Sequence, residues 1–159
     1  MRKSLILTMA AFMILFLSGS AFALGEGEYV GEWSAGGHYV TFTGDEGDNG
    51  YGIFFLYEWE NWLFDVGWST SDGNTSGTLN FDDFFYTDLS YLWHAAPDNE
   101  QMGNVFAGLG IEALFGDGTQ YGGVAQLGYK WENGMLVRAK YGLLSDDVQP
   151  LFLSIGWTF

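Results

Sequence analysis

The chain has 159 residues, with 20 acidic and five basic side chains, a formal charge of −15 and no cysteine. So acidic a chain disfavours a nucleic-acid partner, because it has little with which to neutralise phosphates, and without Cys it forms neither a disulfide nor a thiolate metal site. Acidity alone would suggest disorder, but seven Trp, nine Tyr and 14 Phe argue for a packed fold, and 24 Gly with only two Pro point to an all-β one.

The first residues form a separate unit. Arg2 and Lys3 precede an apolar run from Leu5 to Leu17, and Ala21-Phe-Ala23 supplies a small-x-small cleavage site. This pattern predicts a secretory signal peptide over residues 1–23 and one mature domain over 24–159. No Cys follows to carry a lipid anchor, and no later run is apolar enough for a membrane-spanning helix.

The mature part alternates with a period of two, which predicts eight strands. The first runs from about Tyr29 to Phe42, with Trp33, Ala35 and Tyr39 on one face and Glu32, Ser34 and His38 on the other. After a Gly/Asp-rich loop, the second (51–59) sets Tyr51, Ile53, Phe55, Tyr57 and Trp59 against Glu58. The third (62–70) sets Trp62, Phe64, Val66 and Trp68 against Asp65 and Ser69. Directly opposed residues share a face, so Trp59 can oppose Trp62 only across a two-residue turn, Glu60-Asn61.

The fourth strand (84–94) presents Phe85, Leu89, Tyr91 and Trp93, with Tyr86, Asp88 and Ser90 opposite. The fifth (104–115) presents Val105, Leu109 and Ile111, with Glu112 opposite, and the sixth (121–131) presents Tyr121, Leu127, Tyr129 and Trp131, with Gln126 and Lys130 opposite. In the seventh, Met135, Val137 and Ala139 alternate with Arg138 and Lys140. Here parity requires a three-residue turn, Glu132-Asn-Gly134, with Gly134 free to take positive φ. The eighth strand places Leu151, Leu153, Ile155, Trp157 and Phe159 on one apolar face.

The two faces differ in kind. One carries essentially no charge, and the other carries Glu32, Glu58, Asp65, Asp88, Glu112, Lys130, Arg138 and Lys140. A soluble sandwich or carrier barrel would turn the charges outward, and the same alternation permits that reading. Strands of about nine to twelve residues match a tilted membrane strand, and Trp and Tyr gather at the strand ends as interfacial girdles would, among them Trp59, Trp62, Trp93, Trp131 and Trp157. Tyr57-Glu-Trp-Glu-Asn61 and Tyr129-Lys-Trp-Glu-Asn133 share that duty at two turns. The expectation is an all-β, eight-stranded antiparallel up-and-down transmembrane β-barrel. The three mature basic residues would neutralise the acids in an interior network.

A terminal Phe159 preceded by Leu151, Leu153, Ile155 and Trp157 resembles the assembly signature of bacterial outer-membrane barrels. With eight strands and a signal peptide, the chain resembles the small outer-membrane family that includes the OmpX/Ail-like proteins, the OmpA transmembrane domain and opacity-type porin relatives. The resemblance implies a location in the cell outer membrane, insertion by the barrel assembly machinery, contact with outer-membrane lipids and lipopolysaccharide, and a structural or surface-interaction role. Eight strands leave a narrow, filled interior in place of an open pore, and no cofactor is expected. With the termini in the periplasm, the connections at 43–50, 71–77, 116–120 and 144–150 face outside.

Some barrels of this size modify lipid A with a His beside a Ser or an acid, and His38 with Ser69 is the pair to inspect. No His-x-Ser motif is present, and an inward His is commonly a polar filler. His94 falls at the periplasmic end. Asp45, Glu46, Asp48, Asp72, Asp82, Asp83, Asp117, Asp146 and Asp147 crowd the outer loops, which read first as solvated and mutually repelling, and second as carboxylates that suit divalent cations bridging to lipopolysaccharide. Gly47 stands where a calcium loop needs an acid, so no metal site is assigned.

Overall fold

A computed structural model describes residues 31–43, 49–71, 83–95, 104–116 and 118–159. The expected signal peptide, the start of the first strand and the loop acids Asp45, Glu46, Asp48, Asp72, Asp82 and Asp117 lie outside the described residues. Eight antiparallel strands follow one another round a closed barrel: β1 (Glu32–Phe42), β2 (Asn49–Trp59), β3 (Trp62–Ser71), β4 (Asp83–Ala95), β5 (Asn104–Phe115), β6 (Thr119–Lys130), β7 (Met135–Leu144) and β8 (Pro150–Thr158). Closure comes from β1 against β8, with Gly37 opposite Ile155 and Val40 opposite Phe152.

Parity governs both tight turns. Trp59 and Trp62 are cross-strand partners, and Glu60 takes left-handed geometry (φ 55°) to close the two-residue turn without a glycine. Asn61 ties that turn to the next strand: its Nδ2 donates to the Leu92 carbonyl (2.9 Å), and its own carbonyl accepts from the Leu92 N–H (2.6 Å). At the other hairpin Gly134 has φ 86°, and the Trp131 N–H donates to the Met135 carbonyl (2.8 Å) across three turn residues.

Strand ends differ from the periodicity by a residue or two. β2 begins at Asn49, and β6 runs from Thr119 to Lys130, which leaves Trp131 just outside the strand, ahead of the turn. Residues Ser145–Asp147 form a 3₁₀ turn with Asp146 and Asp147 at positive φ. Gln120 holds it, accepting from Ser145 Oγ (2.5 Å) and donating to Asp146 Oδ2 (3.1 Å).

Inside, large side chains stand opposite glycines. Tyr86 faces Gly67, Phe106 faces Gly128, Phe54 faces Gly36 and Leu92 faces Gly108. The fit is tight: a Cβ on Gly67 would come within 2.4 Å of the Tyr86 ring, and one on Gly128 within 2.2 Å of Phe106. The interior of an eight-stranded barrel is just wide enough for side chains to fill it. Val40, Phe42, Phe84, Leu114 and Phe152 are buried toward the end with the long loops, and Leu56, Leu63, Leu92, Phe106 and Leu136 toward the end with the tight turns.

Candidate functional site

Between these two apolar layers lies a belt of charge. Asp65 on β3, Asp88 on β4 and Glu112 on β5 occupy one register row, Asp65 opposite Asp88 and Asp88 opposite Glu112. From β7, across the lumen, come Arg138 and Lys140. Lys140 Nζ lies 2.8 Å from both Asp88 Oδ2 and Glu112 Oε1 and 3.2 Å from Asp65 Oδ2. Arg138 Nη2 meets Asp65 Oδ2 at 2.7 Å, and its Nη1 donates to Gln126 Oε1 at 3.2 Å. All five charged side chains are buried. Such a group must be internally paired, because stranding one of its charges in a low-dielectric interior is strongly unfavourable.

Aromatic faces supply part of that pairing. The Lys140 ammonium sits 3.7 Å from the Tyr86 ring centroid and 4.4 Å from that of Phe152, and the Arg138 guanidinium lies 5.3 Å over Phe54. Five buried polar atoms of this belt still lack a hydrogen-bond partner among the described residues: Asp65 Oδ1, Glu112 Oε2, Gln126 Nε2, Arg138 Nε and Ser154 Oγ.

Of the eight charges assigned to the interior from the sequence, Glu32 is exposed, and the eight fall into two groups rather than one network. Lys130 donates to Glu32 Oε2 and reaches Glu58 Oε2 at 3.4 Å, below the layer that contains Leu56, Leu63 and Leu136. His94 belongs to this lower group and not to the outer surface: its Nε2 lies 3.4 Å from Glu58 Oε1, and Asn104 Nδ2 donates to its Nδ1 (3.0 Å). The split arises because alternation gives a residue's face but not its height around a staggered barrel. Tyr86, Ser90 and Gln126 are parts of the belt that a search for charge overlooks, although their parity places them on the same face.

His38 and Ser69 do meet. Ser69 Oγ and His38 Nε2 share a hydrogen bond of 2.5 Å, and His38 Nδ1 faces the Tyr86 hydroxyl at 3.5 Å. The pair is buried beside Phe54, Tyr86 and Phe152, and the group behind the imidazole is a phenol rather than a carboxylate. Among the described residues, the Ser69 hydroxyl is buried and the second imidazole nitrogen meets a phenol where a catalytic triad has a carboxylate.

The outer wall is apolar throughout its middle. Ile53, Leu89, Leu109, Ile111, Leu127, Leu153 and Ile155 are all exposed, Ile111 at 68%. Of the terminal signature, Leu153, Ile155, Trp157 and Phe159 are exposed on this wall and Leu151 is half-buried. Trp59, Trp62, Trp93 and Trp157 are exposed near the end with the tight turns, where Trp131 is half-buried and stacks edgewise on Tyr129 at 4.6 Å. Tyr39, Tyr51, Trp68 and Tyr121 are exposed toward the other end.

No family model and no curated protein sequence matches the chain. Among solved structures it is similar to Neisserial surface protein A (NspA), at 13% identity over 80% of this chain and 95% of that one, with a TM-score of 0.55. It is also similar to the outer membrane protein OprG from Pseudomonas aeruginosa, at 12% identity over 81% and 96% of the two chains and a TM-score of 0.50. Ail, the attachment invasion locus protein of Yersinia pestis, aligns at 15% identity over 81% and 97%, with a TM-score of 0.44. At these identities the likeness is one of fold: the eight-stranded closed barrel that the resemblance implied.

Proposed function

We propose that this chain is an integral outer-membrane β-barrel with a structural or surface-interaction role, and that its filled interior conducts no solute. The observation that carries the reading is the sorting of side chains: charge lies inside, and a continuous apolar wall lies outside. A monomer in water rarely exposes an apolar patch beyond a few hundred Å², whereas a lipid bilayer requires such a wall. In this orientation Trp59, Trp62, Trp93, Trp131 and Trp157 anchor the periplasmic interface, and the loop beginning with the 3₁₀ turn Ser145–Asp147 faces outside.

The partners in this reading are outer-membrane lipids and lipopolysaccharide, the machinery that inserts barrels, and divalent cations bridging acidic outer loops to lipid phosphates. Residues 1–23 act as the export signal. A soluble carrier is disfavoured because its lumen would be the apolar side, and this lumen holds five buried charges at its centre. A lipid A-modifying enzyme draws support from the Ser69–His38 contact alone, and burial of both residues counts against it.

The test is membrane fractionation followed by a gel of unboiled and boiled samples. The proposal expects recovery with the outer membrane and a mobility shift on boiling, since a folded barrel resists detergent and migrates differently from the unfolded chain. Recovery in the soluble fraction, with no shift, overturns it.

A further inference from the structure

The row Asp65–Asp88–Glu112 contains three carboxyl groups, and among the described residues the cations that reach it are two, Arg138 and Lys140. The remaining facing groups supply no third charge. Tyr86 and Ser90 approach from β4, Gln126 from β6 and Ser154 from β8, and His38 on β1 is engaged with Ser69 and Tyr86. Lys130 is held in the lower group by Glu32 and Glu58. Three ionised carboxylates would therefore leave a surplus negative charge in a buried site. They would also set like charges directly opposite each other on two adjacent strand pairs.

Close carboxylates relieve this by sharing a proton. Geometry distinguishes the three. Asp65 receives both Arg138 and Lys140, so its negative charge is the best compensated. Glu112 Oε2 has no hydrogen-bond partner among the described residues, hence no acceptor there for an acidic proton. Asp88 stands in the middle, with a carboxyl on either side, and its Oδ1 lies 3.1 Å from Ser90 Oγ, which donates to it when the carboxyl is ionised. A hydroxyl accepts as well as donates. Gly110, opposite Ser90, leaves room for that hydroxyl, since a Cβ there would lie 2.4 Å from Ser90 Oγ.

We propose that the row is a proton-binding site: in the folded barrel at neutral pH one proton resides on the central carboxyl, Asp88, and is donated from Oδ1 to Ser90 Oγ. Two carboxylates then face two cations and the buried belt is neutral. The arrangement is independent of what the outer loops contact.

Infrared spectroscopy of the purified full-length protein, folded in detergent micelles and exchanged into heavy water, tests this directly. Expected at neutral pH is the carbonyl stretch of a protonated carboxylic acid that shifts when Asp is ¹³C-labelled at its carboxyl carbon and disappears in Asp88→Asn. In Ser90→Ala, which keeps the acid but removes its acceptor, the band persists at a changed frequency. Raising the pH should lower the melting temperature of the wild type as the band vanishes, because the folded state holds a proton that the unfolded chain has released. Asp88→Asn should lack that dependence. Absence of the band from the folded wild type overturns the proposal. So does a band insensitive to both Asp labelling and Ser90→Ala. A melting temperature that rises with sodium at constant ionic strength, with no band, would mean that a cation neutralises the row, and that also overturns it.

Discussion

Asp65 and Asp88 are direct cross-strand partners inside the barrel, and the ammonium of Lys140 reaches both carboxylates, at 3.2 and 2.8 Å. Two acids in register would normally push neighbouring strands apart. Here a cation from the opposite wall draws β3 and β4 toward β7 across the lumen, so the charge belt holds the cross-section as well as neutralising itself.

Removing that cation should therefore weaken the whole barrel. Lys140→Met leaves three acids facing Arg138 alone and is expected to destabilise the fold by about 3–5 kcal/mol. Urea unfolding in micelles, followed by Trp fluorescence, measures the change. Adding Glu112→Gln to Lys140→Met should recover a substantial part of the loss, because the stranded charge is removed with it.

Gly67→Ala sets a methyl against the Tyr86 ring, where a Cβ would come within 2.4 Å. The expected loss is about 1–3 kcal/mol, the range for overpacking a tight core. Tyr86→Leu in the same chain should relieve part of it. A full loss that persists in the double variant would show that the ring is not the obstacle.

Ile111 lies on the outer wall, 68% exposed, opposite Leu89. Ile111→Arg is expected to cost about 2–4 kcal/mol when the protein folds into lipid vesicles, as a cation facing a bilayer core does. Asp146→Lys on the 3₁₀ turn should change folding far less. The folded fraction, read from heat modifiability over a urea series, compares them. Equal tolerance of the two substitutions would contradict a lipid-facing wall.

Ser69→Ala should leave the lipid A of expressing cells unchanged in a mass spectrum, because the hydroxyl is buried beside His38 and acts as a structural partner. It strands the imidazole Nε2, so a stability loss of about 1–3 kcal/mol is expected. A lipid A species that vanishes in this variant would restore the enzymatic reading.

Much of the fold was legible because a period of two leaves little freedom. Once Leu153, Ile155 and Trp157 were assigned outward, the two tight turns carried that parity across β2–β3 and β6–β7, and each needed the loop length the structure has. The same parity turned Glu112, Arg138 and Lys140 inward. Heights were not legible. Whether Asp88 meets Asp65 depends on the stagger across β3–β4, and the connection between those strands is too long to fix it from turn geometry. For the same reason the single network expected of the three basic residues divides, and Lys130 lies a layer below the belt with Glu58 and His94.

The pairing of large side chains with glycines has a consequence for assembly. Sliding one strand by a single residue would turn its charges into the apolar wall, so odd slips are forbidden by the outside alone. A slide by two residues keeps every apolar side chain outward, and nothing on the outer wall resists it. The lumen does: such a slide would move Tyr86 from Gly67 onto Asp65 or Ser69, and Phe106 from Gly128 onto Gln126 or Lys130. The glycines thus work as keyways. The exterior selects which face each strand shows, and the interior selects the one notch, among those of equal facing, in which neighbouring strands can lock.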